Sequence, residues 1–202
     1  MCIRDSNKGR LMNPRRSDAR QRVVVAAAKM LAQHGLNATS IREMAQRAEA
    51  PLGSTYHHFP GGKQQVVVEA VTFAGACVSA DLERHLEAGP VAGLRGFLAM
   101  WRDTLIRSDF RIGCPVLAVA VEEPIDDVGA EARETAAQVF GDWERKLAAS
   151  LEGQGRDPES ASRLATLIVA SVEGAIVLCR AQRSIASFDK VAEQLELLVS
   201  DA

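Results

Sequence analysis

Ser54, His57 and His58 stand at i, i+3 and i+4, which puts them on one face of a helix, while Thr55 and Phe59 at i and i+4 share another. Short hydroxyl and imidazole groups in a row suit hydrogen bonding to base edges in a duplex groove, with the second face left for apolar packing. Gly53 admits a close backbone approach and Tyr56 offers a hydroxyl to a phosphate. Lys63, at the start of the following helix, adds its charge to the free N–H groups there. Metal chemistry fits poorly: adjacent helical residues point about 100° apart, so His57 and His58 do not chelate easily, and no second His or Cys pair stands at ligand spacing.

The elements that must hold this row are helices. Aromatics are 4%, hydrophobic residues 47% and charged residues 25%, and the short β-branched runs sit among Ala, Leu, Glu, Gln and Arg. A first helix from about Ser17 to His34 carries the stripe Val24, Ala27, Ala28, Leu31, with Gly35 leaving it in a left-handed conformation. Ser40 to Glu43 form a capping box opening a second helix striped by Ile41, Met44, Ala45 and Ala48. Pro51 suits the first turn of a third helix that runs to about His57. Two short helices joined by a tight turn behind a longer one make a helix-turn-helix. Further helices are expected near 62–86, 91–107, 114–123, 128–152, 159–183 and 188–200, giving an all-α chain.

Charge divides in the same place. Residues 1–63 carry 11 Lys and Arg against 4 Asp and Glu, a net of +7; residues 64–202 carry 13 against 22, a net of −9, leaving −2 overall. A basic front on an acidic body points to a nucleic-acid module joined to one that avoids nucleic acid. The expected boundary falls at residue 63, with residues 12–63 contacting nucleic acid and residues 64–202 forming a separate unit. Residues 1–11 carry no usable pattern and read as a disordered or artefactual extension ahead of a cleaner start at Met12. Neither an apolar run near the ~18 residues of a membrane span nor a signal-peptide stretch stands out, so a cytoplasmic chain with no membrane partner is expected. Cys2, Cys77, Cys114 and Cys179 are scattered, which fits a reducing compartment without disulfides.

No phosphate loop, paired carboxylates or Ser-His-Asp set appears, so an enzyme is not expected, nor a cofactor. Cys114, before Pro115, lacks a neighbouring His and reads as a packing cysteine that starts a helix. Glu173 interrupts a helix apolar nearly all round, where a carboxylate must be paired, hydrogen-bonded or protonated. It serves either an interface or structural hydrogen bond, or a pocket that takes a polar or cationic ligand. Glu122 has the same ambiguity, with more weight on a helix-end role. Phe73, Trp101, Phe110, Phe140 and Trp143 fit a core individually and the walls of an apolar cavity as a set. Cys114, Leu117 and Val121 join that candidate pocket.

Residues 17–63 resemble the TetR family of transcriptional regulators, through Gly35, Thr39-Ser40-Ile41, Ala45 to Ala48, Gly53 to Phe59 and Lys63. Pro60 to Lys63, Gly113-Cys114-Pro115 with the Ala/Val run ending in Glu122, and Glu173-Gly174-Ala175 are similar to its LmrA/YxaF-like branch. Glu49 stands where the family's turn carries Gly, and Leu52 where Lys is common. A left-handed Glu49 costs on the order of 1 kcal/mol and brings an acid near DNA. The resemblance implies a homodimeric, ligand-responsive repressor of a nearby efflux or detoxification gene, with residues 12–63 for DNA binding and 64–202 for effector binding and dimerisation. Its DNA contacts would be Thr39, Ser40, Arg42, Gly53, Ser54, Tyr56, His57, His58 and Lys63, with Arg15 and Arg16 as a flexible arm. The helices near 128–152 and 159–183 would pair with their symmetry mates, and the helix at 62–86 would be the lever. The rival readings are a DNA-binding regulator or activator without a small-molecule ligand, and a helical protein-interaction module.

Overall fold

The computed structural model describes residues 14–123 and 129–200. Among them are nine helices and no strand: α1 (Pro14–His34), α2 (Ile41–Arg47), α3 (Leu52–His58), α4 (Gly62–Leu86), α5 (Pro90–Arg107), α6 (Pro115–Val121), α7 (Gly129–Glu152), α8 (Pro158–Gln182) and α9 (Ala186–Ser200). The all-α expectation holds, and the helices fall close to the spans read from the sequence. The start of α1 does not. It begins at Pro14 and not near Ser17, because a proline in the first turn forfeits only an N–H that has no partner inside the helix. Arg15 and Arg16 therefore continue α1 and are not an arm ahead of the fold; their side chains lie outside the described residues, as do residues 1–11 and Pro124.

The contacts divide the chain into two compact units, residues through Ala76 with Pro115–Ala137, and Cys77–Cys114 with Gln138–Ala202. The chain passes between units within α4, at the Cys114–Pro115 peptide and within α7.

In the first unit α1 packs against α2, α3 and α6 through the stripe read from its spacing, with Val24, Ala27, Ala28 and Leu31 all buried. Met44, Ala45 and Ala48 of α2 close onto it. Polar contacts fix the angles between these helices. Arg20 lies 5.1 Å over the Phe59 ring and pairs with Glu69 at 2.6 Å, tying α1 to the end of α3 and to α4. Arg22 donates to the carbonyl of Ala48 at 3.0 Å, and Arg47 donates to Gln33 at 3.1 Å.

In the second unit α8 packs on α9, and α5 on both. Its core includes Phe97, Trp101 and Leu105 of α5, Ile168, Val172 and Ile176 of α8, and Phe188, Leu195 and Val199 of α9, all buried. Trp143 is wholly buried and takes Phe97 and Phe140 edge-on at 6.3 and 5.5 Å. Ser79 and Lys146 both bond the Asp142 carboxylate, at 2.7 and 2.6 Å, joining α4 to α7. Asp157 caps α8 by accepting from the Ser160 N–H at 3.0 Å.

The absence of a membrane-length apolar run needs correction. α4 and α8 are both long and apolar enough to cross a bilayer by length and composition. In α8 that composition has another cause: Leu164, Ile168, Val172 and Ile176 are buried in the second unit's core.

Candidate nucleic-acid interface

Ser40, extended at φ −131°, caps α2. Its hydroxyl oxygen accepts from the Glu43 N–H at 3.3 Å, and the hydroxyl donates to Glu43 Oε2 at 2.7 Å. The serine half of the capping box is thus as expected, while the glutamate accepts the hydroxyl in place of a backbone N–H. Arg42 is exposed in the first turn of α2. Thr39 differs from its expected role. It is 5% exposed and donates its hydroxyl to the Leu36 carbonyl at 2.7 Å, so its side chain is spent inside the protein.

The turn between α2 and α3 carries a left-handed Glu49 at φ 51°. Its N–H bonds the Gln46 carbonyl at 3.1 Å, and the Ala50 N–H bonds the Ala45 carbonyl at 2.9 Å. This pair of bonds is a Schellman ending, whose left-handed position normally goes to glycine. Pro51 caps α3 and is not its first residue, and its carbonyl accepts both the N–H and the hydroxyl of Thr55, at 3.0 and 3.2 Å.

On α3 the division of faces is as the spacing implies. Thr55 and Phe59 are buried. Tyr56 is 50% exposed, His57 is exposed, and Ser54 and His58 are partly exposed. The two imidazoles sit 5.8 Å apart, tilted by 59°. A Cβ on Gly53 would meet nothing of the protein within 4 Å, so the room its missing side chain leaves lies outside the chain. Lys63 is partly exposed in the first turn of α4. Among the described residues no group of three His, Cys, Asp or Glu is placed to hold a metal.

Sequence reading missed a contact behind this surface. The Glu122 carboxylate, just past α6, accepts the backbone N–H groups of Leu36 and Asn37 at 3.0 and 2.9 Å. Asn37 in turn donates its amide to the Glu123 carbonyl at 2.9 Å. Of the readings open for Glu122, the structural hydrogen bond is the one it makes, and the helix-end role that carried more weight is not. Its partners lie about 85 residues away in the chain, and the signal that could have found them is Gly35, where a Cβ would lie 1.8 Å from Glu122 Oε1.

In the second unit Glu173 is 6% exposed, and no nitrogen or oxygen donor reaches either carboxylate oxygen. Burial pushes its carboxyl up to about 7, against the pull of the Cys114 thiol beside it. Trp101 Nε1, on α5, is likewise buried without a partner. The other candidate pocket residues are divided between the two units. Phe73, Leu117 and Val121 belong to the first unit, and Val121, at 69% exposed, does not suit a closed cavity. Phe140 and Trp143 pack on each other, and Phe110 holds a left-handed φ of 57° beyond the end of α5.

Comparison with known proteins accounts for both units. Residues 23–70 match the bacterial regulatory proteins of the tetR family, and residues 90–194 match the C-terminal domain of LmrA/YxaF-like transcriptional regulators. The uncharacterized HTH-type transcriptional regulator Rv0196 of Mycobacterium tuberculosis is 38% identical over 183 residues, covering 89% of this chain and 93% of the relative. YxaF of Bacillus subtilis is 29% identical over 186 residues, covering 91% and 96%. In fold, the chain is similar to a TetR regulatory protein from Rhodobacter sphaeroides, with a TM-score of 0.79 at 21% identity over 89% of this chain and 98% of that one. The protein belongs to the TetR family of DNA-binding transcriptional regulators, with an LmrA/YxaF-like C-terminal domain, and not to an enzyme family.

Proposed function

We propose that the chain is a cytoplasmic, ligand-responsive repressor that binds a pseudo-palindromic operator as a homodimer. The observation that carries the DNA reading is α3 itself, which buries Thr55 and Phe59 and leaves Ser54, Tyr56, His57 and His58 accessible. Ser54, His57 and His58 read base edges; Gly53 lets the backbone come close; Tyr56, Ser40, Arg42 and Lys63 hold phosphates, joined by Arg15 and Arg16 from the first turn of α1.

The dimer reading rests on apolar residues left uncovered. Leu167, Val177 and Leu178 of α8 and Leu197 and Leu198 of α9 are all exposed. Along α8 they continue through Ala170, Gly174 and Ala181, also exposed. This favours α8 and α9 as the helices that meet their symmetry mates, in place of the expected α7 and α8: the exposed residues of α7 include Glu131, Glu134, Gln138, Arg145 and Glu152. A two-fold pair sets recognition helices roughly 34–36 Å apart, in successive major grooves.

The effector reading rests on Glu173 and Trp101, an unmatched acceptor and an unmatched donor on helices that pack together. Such groups suit an amphipathic molecule that offers a donor or cation to the carboxylate and an acceptor to the indole. Repression is relieved when this molecule prefers the conformation with the wrong helix spacing; a preference of roughly 100-fold is worth about 3 kcal/mol. The message has three covalent routes, through α4, α7 and the Cys114–Pro115 peptide into α6.

Selection of bound DNA from random duplexes, with sedimentation of the complex, tests the reading. Two chains on one palindromic site, with affinity falling steeply as salt rises, is the expected outcome. A monomer that enriches nothing overturns it.

A further inference from the structure

We infer that Glu122 is a positioning residue for DNA binding: from the end of α6 it holds the peptide that sets the start of α2, and so fixes how the helix-turn-helix is presented. The inference rests on the DNA-binding reading above and concerns residues that touch no DNA in it.

The contacts form a short chain, all within the first unit. Glu122 accepts the N–H groups of Leu36 and Asn37, at 3.0 and 2.9 Å. The carbonyl of Leu36 accepts both the N–H and the hydroxyl of Thr39, at 3.3 and 2.7 Å. Thr39 immediately precedes Ser40, the residue that caps α2. One carboxylate thus governs, through a single peptide, the residue from which α2 departs. A carboxylate on two successive backbone N–H groups is charge-assisted and bidentate, and so fixes orientation as well as distance.

The site tolerates only this arrangement. Gly35 stands at φ +82°, and a Cβ there would lie 1.8 Å from Glu122 Oε1 and 2.8 Å from its Cδ. The missing side chain therefore serves the carboxylate as well as the backbone turn. Asn37 adds a second tie by donating to the Glu123 carbonyl at 2.9 Å. The buried contact of α1 with α6 carries this strut, with Val116 and Val119 buried on α6. Thr39 acquires a role as well. Its hydroxyl is the link that passes the position of Leu36 to the cap.

Hydrogen exchange at the Leu36 and Asn37 amides, read beside operator affinity on the full chain well below its melting temperature, tests the inference. Glu122→Ala should speed exchange at those two amides at least tenfold and weaken operator binding about tenfold, with the dimer retained. Glu122→Gln, which keeps one acceptor oxygen, should fall between. Gly35→Ala should weaken binding more in the wild-type background than in Glu122→Ala, because the second background has already removed the clash. If Glu122→Ala does not fold, Glu122→Gln and Gly35→Ala supply the same two readouts. Faster exchange with operator affinity within twofold of wild type would reduce Glu122 to a local staple and overturn the inference, as would unchanged exchange. A wild-type chain that binds no DNA overturns the DNA reading and the positioning role together. Accelerated exchange would then place the failure in the DNA reading and not in the clamp.

Discussion

The surroundings of α3 and of Glu173 handle buried polar groups in opposite ways. Behind α3 the buried polar side chains are spent: Thr39 on Leu36, Thr55 on Pro51. In the second unit Thr104 is likewise spent on Met100, but Glu173 and Trp101 are buried with polar atoms that no nitrogen or oxygen partner meets. A buried acceptor without a donor costs stability that nothing in the fold returns. The difference separates a surface that must be held rigid from an interior that is unfinished until something else completes it. Rigid presentation suits a row of short side chains reading base edges, and an incomplete interior suits a site whose state is set from outside.

Glu173→Gln is the largest way to break that contrast. The folded protein keeps the Glu173 proton up to about pH 7, whereas the group's ordinary value is 4.5. Stability from this group is fully present below 4.5 and is lost as pH rises through 7, and the full loss corresponds to about 3 kcal/mol. Glutamine carries no charge, so thermal melts should show variant and wild type diverging from pH 5 upward, with the variant the more stable by roughly 6–12 °C at pH 8. A difference that does not change with pH would mean that Glu173 is paired after all.

On the other side of the comparison, Tyr56→Phe should weaken binding by about 1.5 kcal/mol, a little over tenfold, and equally on every duplex. A loss confined to some sequences would move Tyr56 from the phosphates to the bases. Glu49→Gly should stabilise the first unit by about 1 kcal/mol, since its φ of 51° is one glycine adopts without strain, raising the melting temperature by roughly 2–4 °C. An unchanged melting temperature would show that the turn stores no strain. Lys63→Ala should do least. It lowers the slope of affinity against salt by about one charge, and an unchanged slope removes Lys63 from the phosphate set.

Most of the fold was legible because it is written in local periodicity: the stripes of α1 and α2, the cap at Ser40 and the two faces of α3 each depend on residues a few positions apart, whereas the left-handed turn at Glu49 was legible only through the family resemblance. What was not legible depends on distant partners. Arg20 on Phe59 and Glu69, and Glu122 on the loop after α1, join segments that no spacing rule connects. Thr39 was not legible for a different reason, because a hydroxyl suited to a phosphate is equally suited to a carbonyl three residues back. The apolar character of α8 marked it as a core helix, but which of its apolar residues are buried and which stay exposed was not legible from its spacing.

The account stands or falls on whether the accessible face of α3 reads bases. DNA selection run in parallel on wild type and His57→Ala tests this most directly. The expected result is two palindromic consensus sequences with the same half-site spacing that differ at one base position in each half. Identical consensus sequences, or a uniform loss on every duplex, would contradict it.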